Sequence, residues 1–153
     1  MLDPKFTAAY FDHQGLYAFG RQPDALYWNL ARLGECLIPL CDVSELQPVL
    51  ETFPARFDAA LADATLGRLG LQRDRSDPER DHRLVSLFYG ALRQSGAGCE
   101  RAFLEMMGGA RETRLAQSPH ADLYAGDVWQ AAIAGLRERD PVRGIAEAMA
   151  SPD

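Results

Sequence analysis

Five leucines in the first third of the chain constrain its fold more than any other feature. They recur at steps of four and three residues, at Leu26, Leu30, Leu33, Leu37 and Leu40. This spacing places all five side chains on one face of an α-helix. Pro23 and Asp24 suit the first turn of such a helix, and Pro39 and Asp42 predict where it ends.

Similar patterns predict more helices further along the chain. A second helical segment is expected from Ser44, with Gln47 completing a capping-box pattern and Pro54 introducing a kink or dividing it in two. The charged stretch 72–82 is expected to be a solvated loop that leads into a helix at Asp77–Pro78. This third helix carries its apolar face from Leu84 to Leu92 and ends at Ser95–Gly96, and a fourth runs from about Cys99 to Met107. After a polar loop, Gly126–Asp127 caps a fifth helix that continues through Leu136, and Asp140–Pro141 starts a short sixth one that contains Ile145 and Met149.

The first 23 residues have a different character from the rest. They contain two glycine breakers, one possible short strand at Leu16–Phe19, and five rings: Phe6, Tyr10, Phe11, Tyr17 and Phe19. We expect this arm to lie extended across a helical body, with more rings than one short segment can hide. The predicted fold is all-α, a single domain over residues 1–153, with the arm at 1–23 and the helical body at 24–153.

Charge and composition exclude several classes of function. The net charge of −6 argues against a nucleic-acid-binding surface, because phosphate binding needs clustered cations. Lys5 is the only lysine, and no glycine loop surrounds it, so a phosphate-binding loop is not expected. No apolar run reaches the roughly 20 residues of a membrane span, and no signal peptide is visible. We therefore expect no membrane association and a cytoplasmic location.

The search for catalytic and metal-binding residues identifies no site. Asp12–His13 could be half of a proton relay, but a histidine bonded to a backbone group in a turn is the favoured interpretation. Glu105 and Glu112 have no special sequence context, and Gly108–Gly109 is expected to stop a helix rather than hold a phosphate. A zinc site is disfavoured, because the cysteines and histidines lack the usual ligand spacing: Cys36, Cys41, Cys99, His13, His82 and His120. We predict no catalytic, cofactor-binding or metal-binding residue in this chain.

One long motif does resemble a known family. Asp3–Pro4 and Asp12–His13 are followed by Tyr17, Phe19 and Gln22–Pro23, and then by Trp28-Asn29-Leu30-Ala31-Arg32-Leu33. This order is similar to the selenoprotein O family of kinase-like proteins, over about the first forty residues of the chain. Weaker similarity follows around Phe103, Ser118–Pro119 and Tyr124. The family-motif residues are interpreted as structural: Tyr17, Phe19, Gln22, Pro23, Trp28, Asn29 and Arg32. Trp28 is expected to be buried and to anchor the arm to the first helix.

The resemblance implies an activity that the full-length family would carry. Family members transfer AMP from ATP to protein hydroxyl groups, and their nucleotide-binding and metal-binding residues lie upstream of the Asp–Pro motif. ATP and magnesium are therefore implied for the full-length family, and neither is expected to bind this chain alone. The first hypothesis is a non-catalytic, structural C-terminal portion of such an enzyme, resembling part of a kinase-like C-lobe.

The alternative hypothesis is a stand-alone helical protein-binding module without enzymatic activity. The expected partners are the missing N-terminal kinase-like portion or a second copy in a homodimer, with protein substrates possible. An upstream reading frame that encodes the missing lobe would favour the first hypothesis. A stable, folded monomer without such a frame would favour the second.

Overall fold

A computed structural model describes residues 3–145 of the chain. No strand occurs among these residues, and the only pairing of strand type is an isolated antiparallel bridge between Leu71 and Pro141. The predicted all-α class is therefore confirmed. The eight helices of this part are α1 (Gln22–Leu37), α2 (Val43–Glu51), α3 (Phe53–Arg68), α4 (Pro78–Ser95), α5 (Cys99–Met106), α6 (Glu112–Ala116), α7 (Ala121–Ala125) and α8 (Asp127–Arg137). None of them is long and apolar enough to cross a membrane.

The described chain forms two compact units, residues 3–58 and residues 59–145. The first unit contains the arm, α1, α2 and the start of α3, and the second contains the remaining helices. The prediction of one domain over residues 1–153 stays a prediction. The expected sixth helix begins as a single turn at residues 143–145, and its Met149 lies outside the described residues.

The first two helices differ in detail from their predicted form. α1 ends at Leu37, so Leu40 of the leucine stripe lies beyond it and is highly exposed. The predicted capping box at Ser44 is wrong, because Asp42 is the N-cap of α2 and no side chain caps the helix. Gln47 instead donates its amide to Glu51 at 2.8 Å. The predicted division near Pro54 is confirmed, since α2 ends at Glu51 and α3 starts at Phe53.

Residues 59–145 enclose a continuous apolar core. α4 packs against α8, and Phe88 of α4 meets the ring of Phe103 at 4.9 Å between centroids and that of Trp129 at 5.9 Å. Gly135 of α8 permits this packing, because a Cβ there would lie 2.8 Å from Leu84 Cδ1. Burial of these rings and aliphatic side chains supplies the main stabilisation of the unit.

The expected solvated loop at 72–82 is partly wrong. Asp81 is completely buried, and its carboxylate lies 3.0 Å from Arg73 Nε and 2.6 Å from the Arg139 guanidinium. The backbone amide of Asp74 donates to the same carboxylate. A run of charges is usually solvated, but here Arg73 and Asp81 of the run are joined by Arg139 from a distant segment, and the three charges partly neutralise one another inside the fold. The predicted helix start at Asp77–Pro78 is confirmed, since the Asp77 side chain accepts the Arg80 amide.

Several later helices begin or end at glycines, as predicted. α4 ends at Ser95, with Gly96 as its left-handed C-cap, and α8 begins after Gly126, as expected. The predicted helix stop at Gly108–Gly109 is confirmed. The Gly108 amide donates to Leu69 and the Gly109 amide to Met106, so both are engaged by backbone carbonyls. The expected polar loop before Gly126 is wrong in part, because it contains the short helices α6 and α7.

Candidate interaction surface

The N-terminal arm is a series of turns rather than an extended segment. The Asp12 carboxylate accepts the backbone amides of Leu16 and Tyr17, each at 2.8 Å. Partial desolvation acts to raise the pKa of Asp12, but these hydrogen bonds hold it below its usual value. Asp12 is therefore a turn-stabilising residue, and its neighbour His13 is exposed. The possible strand at Leu16–Phe19 does not form, since a 3-10 turn starts at Phe19.

The arm closes on itself where its two ends meet. Phe19 donates its amide to Phe6 and Gly20 donates to Pro4, each at 2.8 Å. A Cβ on Gly20 would lie 2.7 Å from Pro4 Cβ and 2.9 Å from the Pro4 carbonyl oxygen, so this contact requires glycine. The Asp–Pro element and the Tyr17–Phe19 element of the family motif are thus joined by backbone hydrogen bonds.

Most of the motif residues are exposed, and they are distributed from the end of the arm to the middle of α1. Tyr17 and Phe19 are about half exposed, and Gln22 and Asn29 are also exposed. The expected burial of Trp28 is wrong, because 60% of this residue is exposed. The Arg32 guanidinium lies 5.5 Å from the Trp28 ring centroid and 2.6 Å from Glu35. Trp28 is held by its own helix, since residues four apart are neighbours on a helix surface.

The leucine stripe of α1 forms one wall of an apolar groove. Leu30, Leu33 and Leu37 face a cavity of about 550 Å³ that is open to solvent. The other apolar residues that line it come from the end of α1, from α2 and from the start of α3: Ala31, Ile38, Val43, Leu46, Val49, Leu50 and Phe53. Phe53 also contacts the rings of Tyr27 and Phe57, each at 5.8 Å between centroids. A groove of this composition is typical of a surface that binds another apolar surface.

Few apolar side chains in residues 3–58 are protected from water. Ala18 is the only buried residue of this unit within the described part of the chain. All five rings of the arm are exposed, in agreement with the expectation that one short segment cannot hide them. A large exposed apolar surface indicates a binding site for a further partner.

A buried carboxylate lies in the other unit, at a position that sequence analysis left without a role. Glu105 accepts the Ser118 hydroxyl at 2.9 Å and pairs with Arg101 at 3.2 Å. Burial acts to raise the pKa of Glu105, but Tyr124, Ser118 and Arg101 together hold it below its usual value. Burial and the same carboxylate raise the pKa of the Tyr124 phenol. This cluster attaches α6 and α7 to α5, which is a structural role.

The remaining candidates from the sequence do not converge. Glu112, His82 and His120 are exposed, and Cys36, Cys41 and Cys99 are unpaired thiols. Within residues 3–145, no three side chains of the metal-binding types come together. The groove and the exposed motif surface are therefore the candidate functional features of the described chain. The leucine period indicated an apolar face that could line the groove. The Glu105 cluster was not predicted, since the sequence marked Ser118–Pro119 and Tyr124 only as positions of weak family similarity.

Comparison with known proteins identifies the same family as the motif between Asp3 and Leu33. A family model described as Protein adenylyltransferase SelO matches residues 1–127. A Protein nucleotidyltransferase YdiU from Rhizobium etli is 32% identical over 161 residues, which cover 97% of this chain and 31% of that protein. One from Rhodopseudomonas palustris (strain BisB5) is 39% identical over 101 residues, covering 62% of this chain and 20% of that protein. No solved structure matches the chain.

The chain thus corresponds to a fifth to a third of the length of these two relatives, at 20% and 31%. The matched region includes the whole of the arm, the motif surface and the groove. The resemblance that was drawn from the motif between Asp3 and Leu33 is confirmed. The chain belongs to the SelO family of protein adenylyltransferases.

Proposed function

We propose that this chain is the helical C-terminal portion of a SelO-type enzyme that transfers AMP from ATP to protein hydroxyl groups. Its own role is architectural: it packs against the nucleotide-binding portion and completes the lower lobe. The curated relatives are named nucleotidyltransferases, and the chain corresponds to 31% of the Rhizobium etli protein. ATP and magnesium would be bound by the larger portion, and the cytoplasm stays the predicted location.

The apolar groove of residues 3–58 carries this proposal. A unit in which Ala18 is the only buried residue among those described does not close a core of its own. The groove and the exposed rings supply a surface that gains stability when a second apolar surface covers it. Attachment to the remainder of a larger lobe provides such a cover.

The test is reconstitution from two polypeptides. The part of the Rhizobium etli relative that precedes the matched region is co-expressed with this chain, and co-purification is measured. Label transfer from ATP to protein is then followed for the pair and for each polypeptide alone. We expect co-purification, and Mg–ATP binding by the pair, while the isolated chain binds Mg–ATP more weakly than about 100 µM, or about −5.5 kcal/mol.

Matched variants locate the contact in the reconstitution. Leu33→Asp places a charge in the groove and is expected to abolish co-purification. The control is Leu104→Asp, which alters an exposed leucine of the other unit and should leave co-purification unchanged. Label transfer by the isolated chain, or tight binding of Mg–ATP to it, would contradict the proposal.

A stand-alone helical binding module is the second candidate. The closed core of residues 59–145, with Trp129, Phe88 and Leu92 fully buried, favours it because such a unit can fold without a further lobe. A monomeric isolated chain that binds no dye for apolar surfaces, and that fails to bind the rest of a relative, would favour this candidate.

A further inference from the structure

We propose that the apolar groove of residues 3–58 receives one helix from the remainder of the same enzyme, the part of the polypeptide that lies outside this chain. The helix presents an apolar face with an aspartate or glutamate beside it, and this carboxylate pairs with Arg56. The inference rests on the proposed function and names the chemistry of the segment that covers the groove.

The polar side chains that line the groove leave one charge without a partner. Four polar residues are among the lining residues. Three of them are already engaged within the unit, Glu35 by Arg32 at 2.6 Å, Gln47 by Glu51 at 2.8 Å, and Thr52 by the Val49 carbonyl at 2.7 Å. The fourth is Arg56, which is therefore the group that selects the charge of an occupant.

Arg56 lies in the first turn of α3 and is exposed. Among residues 3–145, its guanidinium forms no salt bridge, hydrogen bond or ring contact. An occupant of the groove removes part of this cation from water, and that cost is offset when the occupant supplies an anion. A carboxylate suits this position best, because it accepts two parallel hydrogen bonds from a guanidinium.

The groove requires an occupant that satisfies its own backbone hydrogen bonds. Its walls are helices, and no strand among residues 3–58 offers an edge with free amides and carbonyls. An α-helix pairs its backbone groups internally and can present an apolar face to such walls. The lining residues from Leu30 to Ile38 span about 12 Å, which accommodates a little over two helical turns.

The relatives indicate where this helix comes from. The Rhizobium etli protein is matched over 97% of this chain, and the match uses 31% of that protein. Its remainder is thus part of the same polypeptide as the matched region. Covalent linkage raises the effective concentration of such a segment to the millimolar range for short linkers. A separate protein has to bind the groove from dilute solution, so the remainder is the favoured occupant.

A second copy of this chain is a poorer occupant. In a two-fold dimer through the groove, each copy presents the same surface to the other. The only carboxylate among the lining residues is Glu35, and Arg32 already holds it. The two grooves would therefore bring two Arg56 guanidiniums without a free lining carboxylate for either of them.

The first experiment measures the carboxylate pairing with peptides. Two labelled peptides of about 18 residues share the same leucine spacing, and they differ in carrying glutamate or glutamine beside the leucines. Binding to the full chain and to Arg56→Gln is measured by fluorescence anisotropy. The net charge of −6 repels an acidic peptide as a whole, so the two changes are combined in a double-mutant cycle.

We expect the change from glutamate to glutamine to weaken binding to the unmodified chain by about two- to fivefold relative to its effect on Arg56→Gln. Arg93→Gln makes the same change of net charge at an exposed position of the other unit, and it should behave like the unmodified chain. Leu33→Asp is expected to weaken binding of both peptides, because it places a charge in the groove.

The second experiment identifies the source by carbodiimide cross-linking, which joins a carboxylate to a neighbouring amine with loss of water. Arg56→Lys places an amine at the groove, and Lys5 is the only lysine of the unmodified chain. In the reconstituted pair, we expect mass spectrometry to find a link from position 56 to an aspartate or glutamate of the larger portion. That residue should lie beside apolar residues at i, i+3 or i+4, and i+7. The control Arg93→Lys should not link to it.

Three outcomes would overturn the inference. They are equal effects of the peptide change on the unmodified chain and on Arg56→Gln, a co-purified pair without the expected link, and self-association of the chain that Leu33→Asp abolishes. If the larger portion does not co-purify, the proposed function fails, and the peptide cycle still decides the chemistry of the groove. If it co-purifies without a link or a peptide effect, the proposed function stands and this inference fails.

Discussion

Nη2 of Arg139 lies 2.6 Å from Oδ1 of Asp81, and the Asp81 side chain is wholly buried. Arg73 approaches the other carboxylate oxygen at 3.0 Å. Two arginines from distant parts of the sequence thus share one carboxylate at the start of α4. This arrangement connects the segment before α4 with the segment after α8.

Removing the charge of Asp81 is predicted to destabilise the chain strongly. Asp81→Asn keeps the shape of the side chain but leaves the buried Arg139 with only the more distant Asp74 carboxylate, at 3.8 Å, as a counter-ion. Loss of one partner of a buried pair costs about 3–5 kcal/mol of unfolding free energy. Urea denaturation checks this value. Glu79→Gln, an exposed change on the same first turn of α4, is the control, and an equal effect of both variants would contradict the prediction.

The two tryptophans are predicted to differ sharply in their contribution to stability. Trp129 is fully buried against Phe88 and Tyr124, at 5.9 Å and 5.2 Å between ring centroids. Trp129→Ala should therefore cost about 3–5 kcal/mol of unfolding free energy. Trp28→Ala should cost less than about 1 kcal/mol, since it loses only a surface contact with Arg32. Chemical denaturation of both variants measures the difference, and similar losses would refute it.

The Asp74 carboxylate is predicted to make stability fall in acid. Hydrogen bonds from Ser76, from the Asp77 amide and from Arg80 lower the pKa of Asp74 from 3.8 to about 2. Because this folded-state pKa lies below the unfolded value, the unfolded chain binds more protons as the pH falls. The stabilising contribution is complete above pH 3.8 and is lost as the pH falls towards 2.

The variant Asp74→Asn tests this pH dependence. Its urea midpoint should change less with pH over the same window than that of the unmodified chain. Asp122→Asn, at an exposed position away from this cluster, is the matched control and should keep the original slope. Parallel slopes for the unmodified chain and Asp74→Asn would contradict the prediction.

A methyl group at Gly20 is predicted to open the arm. It would lie 2.7 Å from Pro4 Cβ, so the hydrogen bonds that join Pro4 to Gly20 and Phe6 to Phe19 must lengthen or break. Gly20→Ala should increase hydrogen exchange at the amides of Phe19 and Gly20. Gly34→Ala in α1, where a Cβ meets no atom within 4 Å, should instead stabilise its helix by up to about 1 kcal/mol. Unchanged exchange in Gly20→Ala would show that the closure is dispensable.

Local patterns in the sequence were sufficient to predict the helices and many of their ends. The leucine period predicted α1, Pro54 predicted the division between α2 and α3, and Gly96 and Gly126 marked helix boundaries. These signals depend on backbone geometry and on side chains within a few residues, so they can be read without knowledge of the fold. The family motif was equally local, since it lies within the first forty residues.

The sequence by itself determined the helical class, most helix boundaries and the family of this protein. Only the tertiary structure decided which apolar and charged side chains are buried. Trp28 and Trp129 both lie on amphipathic helices, yet one is exposed and the other is in the core. Asp81 belongs to a charged run, yet it is buried, paired with Arg73 of the same run and with Arg139 from a distant segment. Burial depends on contacts between residues that are distant in sequence, and no local period encodes those contacts.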